Sequence, residues 1–271
     1  MTARFRAPFR DRNTKTWIAV LHLPPLPGSP RSTLGFDEVG SFMLREAELY
    51  CAQGVDAFIL ENHGDAPFAK DEVEPHVVAA SAVYAAELCR KFSLPVGINL
   101  LRNDALGAYG AAAAAGAAFI RVNVLTGITA TDQGLIEGKA NELLRYRARV
   151  GVDTAILADL DVKFGTPLYR PDLGTLARST ALRGGADGLI VSGTATGAAC
   201  DLSDLAEVKS AIPEHPLFVG SGVTSENLGD LLRFADGVIV GSALKEEGYV
   251  ENPVSKARLE NFAKAWKSQK K

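Results

Sequence analysis

Gly54-Val55-Asp56-Ala57-Phe58-Ile59, Gly151-Val152-Asp153-Thr154-Ala155-Ile156 and Gly185-Ala186-Asp187-Gly188-Leu189-Ile190 repeat one short pattern in a chain of 271 residues. Gly116-Ala117-Ala118-Phe119-Ile120 and Ala235-Asp236-Gly237-Val238-Ile239 are looser copies. Each follows a stretch of helical period and opens a short apolar run. The pattern reads as a helix stop, where glycine accepts left-handed backbone angles, followed at once by a buried strand. Five such junctions predict repeated αβ units and hence a parallel sheet.

Working outward from these anchors gives eight strands, near Trp17–His22, Asp56–Glu61, Pro95–Leu100, Phe119–Val124, Ala155–Asp161, Gly188–Ser192, Leu217–Gly220 and Gly237–Val240. Their runs are short and mostly apolar on both alternations, as expected when both faces are covered. Phe36, Val39, Met43, Ala47 and Tyr50 recur at helical spacing, as do Ile136, Ala140, Leu143, Arg147 and Val150. The alanine run Ala111–Ala115 reads as a helix, with Asp104 able to cap its start and Gly116 its end. Eight alternations without a linker-like break favour an α/β fold of one closed (β/α)8 barrel, a TIM barrel, over an open doubly wound sheet. The barrel is placed at residues 17–271, behind an N-terminal extension at 1–16.

Composition narrows the partners. Apolar residues make up 47% and charged residues 23%, and the net charge of −3 shows no basic excess for nucleic acid. No apolar run approaches the ~20 residues of a membrane span. Cys51, Cys89 and Cys200 are odd in number and far apart, without metal-ligand spacing, which suits reduced thiols in a cytoplasmic protein. The Arg-rich opening, Met1 to Arg10, reads as a tail or a lid on the barrel bottom rather than a transit peptide.

In such barrels the C-terminal strand ends carry function. Here they are polar: His22, then Glu61-Asn62-His63, Asn99, Arg121 with Asn123, Asp159 with Asp161 and Lys163, and Ser192. Solvated strand ends would explain any one of these, but hardly the whole set. Residues two apart share a side, so Arg121 joins Asn123 and Asp159 joins Asp161, the two acids roughly 7 Å apart. A structural ion-pair network with Arg121 and Lys163 is the alternative use for those acids. As chemistry, Asp159 or Asp161 is expected to act as base, with Asp161 nearer the mouth. Lys163, Arg121 or His22 would stabilise oxyanion charge, and Glu61, Asn99 and Asn123 would orient hydroxyls. A Schiff-base role for Lys163 is the covalent variant.

Two glycine turns sharpen this into a phosphate site. Gly220-Ser221-Gly222-Val223-Thr224 follows the seventh strand and leads into a helix that Thr224 or Ser225 can cap. Gly241-Ser242-Ala243-Leu244 follows the eighth. Glycines let backbone amides approach an anion, and this fold commonly grips phosphate after strands seven and eight. Ser192-Gly193-Thr194-Ala195-Thr196-Gly197 offers hydroxyls beside them. Leu23-Pro24-Pro25-Leu26-Pro27-Gly28-Ser29-Pro30 leaves directly from the first strand, as a rigid wall of the mouth rather than a proline-rich docking segment.

That proline segment, with Ala19-Val20-Leu21-His22 before it, resembles the signature of the BtpA family, which includes SgcQ-like proteins of bacterial sugar-utilisation clusters. Asp56-Ala57-Phe58-Ile59-Leu60-Glu61-Asn62, Ala158-Asp159-Leu160-Asp161-Val162-Lys163 and Gly220-Ser221-Gly222-Val223-Thr224 also fit, and the likeness runs from Trp17 across nearly the whole chain. The resemblance implies a TIM barrel related to phosphate-binding sugar and amino-acid biosynthesis barrels. It does not imply one reaction, since one branch is linked to photosystem I assembly and the SgcQ-like branch is taken as enzymatic. The family often continues its lysine segment with a histidine, where this chain has Phe164-Gly165, so no histidine-dependent step carries over to that position.

The expected function is proton transfer on a phosphorylated sugar or related pentose compound by an isomerase, epimerase or lyase. The alternatives are a nucleosidase or glycosidic-bond hydrolase using paired carboxylates, and a non-enzymatic assembly factor for photosystem I or another membrane complex. A divalent metal held by His22, Glu61, Asp159 or Asp161 is a variant, with oxygen donors suiting magnesium or manganese and a histidine admitting zinc. Short, alanine-rich helix faces fit a homo-oligomer.

Overall fold

Along the first strand Trp17, Ala19 and Leu21 alternate with Ile18 and Val20, and the two sets face different cores. A computed structural model describes residues 14–162, 164–193 and 200–269. Residues 1–13, Lys163 and Thr194 to Gly197, to which the sequence assigned a tail or lid, a catalytic role and part of a polar loop, lie wholly outside the described residues. Eleven strands are described: β1 (Thr16–His22), β2 (Ala57–Glu61), β3 (Val96–Asn99), β4 (Phe119–Val122), β5 (Ile128–Thr131), β6 (Gly134–Glu137), β7 (Ala155–Asp159), β8 (Gly165–Pro167), β9 (Gly188–Val191), β10 (Leu217–Val219) and β11 (Gly237–Val240). The helices are α1 (Phe36–Ala52), α2 (Pro75–Lys91), α3 (Ala105–Ala115), α4 (Ala140–Val150), α5 (Leu173–Arg178), α6 (Leu202–Ala211), α7 (Leu228–Leu231) and α8 (Lys256–Gln269).

Eight strands close into a parallel barrel, in the order β1, β2, β3, β4, β7, β9, β10, β11 and back to β1. All eight expected strands are in it. The repeated pattern has a structural cause beyond the helix stop. Its aspartate stitches the foot of the barrel. Asp56, Asp187 and Asp236 each accept a hydrogen bond from the neighbouring strand, from the amides of Trp17 (2.9 Å), Ile156 (2.9 Å) and Leu217 (3.0 Å).

The barrel interior is filled by Ile18, Val20, Ala57, Ile59, Phe119, Leu157, Ile190, Phe218 and Ile239. Gly97 makes room for one of these rings, since a Cβ there would fall 2.1 Å from Phe119. The other face of each strand packs on the helices. Burying these apolar faces, at about 25 cal/mol per Å² removed from water, is what holds the helices to the barrel. Asp104 caps α3 by accepting from the Gly107 amide at 2.7 Å, and Gly116 ends it in the left-handed region, as the alanine run predicted. Among the described residues no helix is long and apolar enough to cross a membrane.

Two local expectations are corrected. Ile136 is not part of α4. It is the buried residue of β6 in a small antiparallel sheet, ordered β6-β5-β8, outside the barrel ladder. Its four-residue spacing from Ala140 mimics a helix because a short strand places its single buried side chain there. Nor do Thr224 or Ser225 cap the next helix. Asn227 occupies that position before the one-turn α7.

Candidate functional site

The alternation that fills the barrel also builds its mouth. The next inward positions above Val20, Ile59, Gly97, Phe119, Leu157, Ile190, Phe218 and Ile239 are His22, Glu61, Asn99, Arg121, Asp159, Ser192, Gly220 and Gly241. One layer of the barrel is therefore polar, interrupted by two glycines. Above it opens a cavity of about 610 Å³, within the range of small-molecule sites.

The two glycines are there for close approach. A Cβ on Gly241 would lie 2.5 Å from His22 Cε1, and one on Gly220 would lie 2.7 Å from Ser192 Oγ. The end of β11 thus yields its volume to His22, and the end of β10 to Ile190, whose Cγ2 a Cβ would meet at 2.5 Å, and to Ser192.

Arg121, Asn123 and Ser192 converge on Asp159. Arg121 Nε and Nη2 each donate to one Asp159 oxygen at 2.9 Å, Asn123 Nδ2 donates at 2.9 Å and Ser192 Oγ lies 3.3 Å away. Burial opposes the Arg121 charge, but the Asp159 carboxylate and its hydrogen bonds win and hold the guanidinium above its ordinary pKa. Asp159 lies behind the lining, with both oxygens occupied. Asp161 does not join it. The chain leaves β7 at Asp159, and Asp161 accepts instead from Arg170 Nη2 at 2.6 Å, on a pair whose arginine side chain is 70% exposed.

Glu61 lines the cavity with His22 and His63, whose ring centroids are 5.2 Å apart. Asn99 Nδ2 donates to Glu61 Oε2 at 2.9 Å. Burial pushes the Glu61 carboxyl up, but the charges of His22, Arg121 and His63 and the Asn99 hydrogen bond outweigh it and hold the pKa at about 2. The fall from the ordinary 4.5 is worth on the order of 3 kcal/mol, at about 1.4 kcal/mol per unit. Because the folded value is depressed, this stability is present above pH ~4.5 and is lost as the pH falls towards 2. Glu61→Gln is therefore expected to flatten the acid limb of a stability-against-pH curve in that window. An unchanged acid limb in urea melts would show that Glu61 is not held this way.

Ser221, Gly222, Val223, Thr224, Gly241 and Ser242 all line the cavity. The loop after β10 is folded by Asn227, which accepts from the Thr224 amide and donates to the Gly222 carbonyl, both at 2.8 Å. The Thr224 amide is thus spent, which corrects its expected place in an anion grip. Among the described residues the amides of Gly222, Val223, Ser242 and Ala243 make no hydrogen bond to a protein acceptor. The loop after β11 is held from outside by Lys245, which donates to Glu46 of α1 in the buried outer core.

The four metal candidates are not brought together, since Arg121 takes Asp159 and Arg170 takes Asp161. Among the described residues no three His, Cys, Asp or Glu groups form a ligand set. The proline segment stands one layer behind the cavity. Leu26 N donates to Asp65 at 2.8 Å and Gly64 N to the Leu23 carbonyl at 3.0 Å, so the segment braces the turn that presents His63. Sequence reasoning did not single out Arg102, Arg258 or Asn261 as lining residues. Arg102 had a signal, lying between a strand end and the Asp104 cap. Arg258 and Asn261, three apart on α8, had none near the other site residues.

A closed parallel barrel with a polar cavity at the C-terminal ends of its strands defines the protein as a TIM-barrel protein. The chain belongs to the BtpA family, whose model matches residues 13–268. It is 48% identical over 248 residues, covering 92% of this chain and 86% of the other, to the photosystem I biogenesis protein BtpA of Synechocystis. Among solved structures it resembles native KDPGal, with TM-score 0.60, 16% identity, and 99% and 98% of the two chains covered. It also resembles the phosphoribosyl anthranilate isomerase of Thermus thermophilus, with TM-score 0.57, 13% identity, and 94% and 99% covered. At such identities these two likenesses concern the fold alone.

Proposed function

We propose that the barrel mouth binds a phosphorylated sugar or related pentose compound and moves a proton on it, as an isomerase, epimerase or lyase does. The observation that carries this reading is one cavity that joins two glycine loops with unengaged amides to a ring of buried polar side chains. Gly222, Val223, Ser242 and Ala243 would hold the phosphate through their amides, with Arg258 of α8 beside them.

The acid–base work falls to His22. A carboxylate held near pKa 2 takes up little proton at neutral pH, so Glu61 is a weak base there. Its negative charge instead lies beside His22, the imidazole on the same wall, whose side-chain type can both take up and give back a proton. Arg121, fixed by Asp159, would stabilise developing oxyanion charge, while Asn99 and Asn123 orient hydroxyls. Hydrolysis by paired carboxylates gains no support, because Asp159 is enclosed by Arg121, Asn123 and Ser192.

A panel of pentose and hexose phosphates in D2O, followed by proton NMR, tests the reading. Loss of a carbon-bound proton signal is expected for a phosphorylated sugar and not for its dephosphorylated form. The name of the Synechocystis relative favours the second reading, an assembly factor. Exchange with no member of the panel would shift the balance to it.

A further inference from the structure

The mouth of the barrel has two unlike halves. In the ring of eight strands, β10 and β11, which carry the glycine loops, stand across from β3 and β4. The strands flanking β3 and β4 are β2 and β7, and the segment after each brings a phenylalanine to the cavity, Phe68 after β2 and Phe164 after β7. Leu101, after β3, and Val162, after β7, line the same half. Between the halves lies the polar layer of His22, Glu61, Asn99 and Arg121. The cavity thus runs from the glycine-loop amides, over groups that suit hydroxyls, to an apolar wall. The proton transfer proposed above makes no use of that wall.

Neither ring belongs to the apolar cores. Phe164 is 59% exposed, so its burial contributes little to folding. Its backbone stands at φ 54°, in the left-handed region that bulky residues enter rarely and under strain. The adjacent glycine serves packing instead, since a Cβ on Gly165 would lie 2.6 Å from Thr129 Cγ2. Leu168 and Tyr169, exposed further along the same segment, are not among the cavity's lining residues, whereas Phe164 is. On the other side, Phe68 meets His63 edge-on at 6.1 Å between ring centroids, and His63 meets His22 in the same way, so a row of rings joins the polar layer to this wall. The Ala69 carbonyl accepts from the Arg102 amide at 3.0 Å, which ties down the loop that presents Phe68. Accessible aromatic rings recognise flat apolar groups by stacking on them. At about 610 Å³ the cavity has the size of sites for drug-sized molecules, more than a bare pentose phosphate fills.

We infer that the substrate is a pentose phosphate bearing an aromatic ring at the end opposite its phosphate. The phosphate lies at the glycine loops, the sugar hydroxyls over the polar layer, and the ring against Phe68 and Phe164. The inference rests on the phosphate reading above and narrows it from sugar phosphates in general to ring-substituted ones.

Calorimetry with three probes separates the two claims. Phenyl β-D-riboside 5-phosphate carries both groups, methyl β-D-riboside 5-phosphate lacks the ring, and phenyl β-D-riboside lacks the phosphate. Wild-type protein should bind the phenyl phosphate at least tenfold more tightly than the methyl phosphate. Phe164→Gly should abolish that preference and leave the methyl phosphate within about twofold. It should also melt no lower than wild type, because it removes an exposed ring from a strained position. Phe68→Leu, which keeps apolar volume without the ring, should reduce the preference severalfold, and Leu168→Ala should leave it unchanged. Arg258→Gln should weaken both phosphorylated probes together. Equal wild-type affinities for the two phosphates, or a preference that survives in both phenylalanine variants, would overturn the inference and leave the phosphate reading standing. So would a Phe164→Gly protein that loses stability and keeps the preference, which marks the ring as structural. Phenyl riboside binding as tightly as its phosphate would overturn the phosphate reading instead, and absence of all binding would overturn both.

Discussion

Asp159→Asn is expected to cost about 3–5 kcal/mol of folding stability, because it leaves the buried Arg121 guanidinium without its counter-charge. The side chains of the pair are only 8% and 1% exposed, and Asp159 is also where Asn123 and Ser192 converge. One neutral amide cannot accept what the carboxylate accepts on both oxygens. Asp161→Asn should cost less than about 1 kcal/mol, since its partner Arg170 is largely in solvent. Urea denaturation of the two variants side by side reads the difference directly. Comparable losses would mean that the Arg121–Asp159 pair does not hold the mouth together.

The second large effect concerns turnover rather than stability. On whichever phosphorylated compound shows proton exchange, His22→Gln should slow the exchange by a factor of about 10² to 10⁴, the usual contribution of a positioned acid–base group. The folding loss should be confined to the support His22 gives the ionised Glu61, because the side chain lines the cavity and is not part of the apolar core. Gly241→Ala offers a second route to the same residue. Its added Cβ, 2.5 Å from His22 Cε1, forces the ring to move, so exchange should fall although no polar group is removed. If both variants exchange at the wild-type rate, the proton carrier is another residue, with His63 next along the same wall.

The barrel was legible because each strand states its own register. Gly-x-Asp before an apolar run marks a strand foot, and alternation then carries inward positions up to a polar top layer. That is why His22, Glu61, Asn99, Arg121, Asp159 and Ser192 were found from the chain alone. Asp161 shows where the rule stops. Two residues beyond Asp159 the strand has ended, and alternation says nothing about a loop, which here turns the carboxylate towards Arg170. The β5–β6–β8 sheet was missed because its strands are three or four residues long and one buried residue, Ile136, imitated helical spacing. Local pattern also could not reveal which carboxylates are already paired. Glu61 and Asp159 look alike in sequence, yet one lines the cavity beside two imidazoles and the other is enclosed by a guanidinium. Arg258 reaches the mouth only because the last helix returns to it, a closure no short window contains.

The function proposed above requires the two glycine loops to grip a phosphate. Titration of inorganic phosphate into isotopically labelled protein, watched through its backbone amide resonances, tests it most directly. The amides of Gly222, Val223, Ser242 and Ala243 should move together and saturate, and Arg258→Gln should shift the midpoint to higher phosphate. Those four resonances standing still while shifts scatter over surface lysines and arginines would contradict the account.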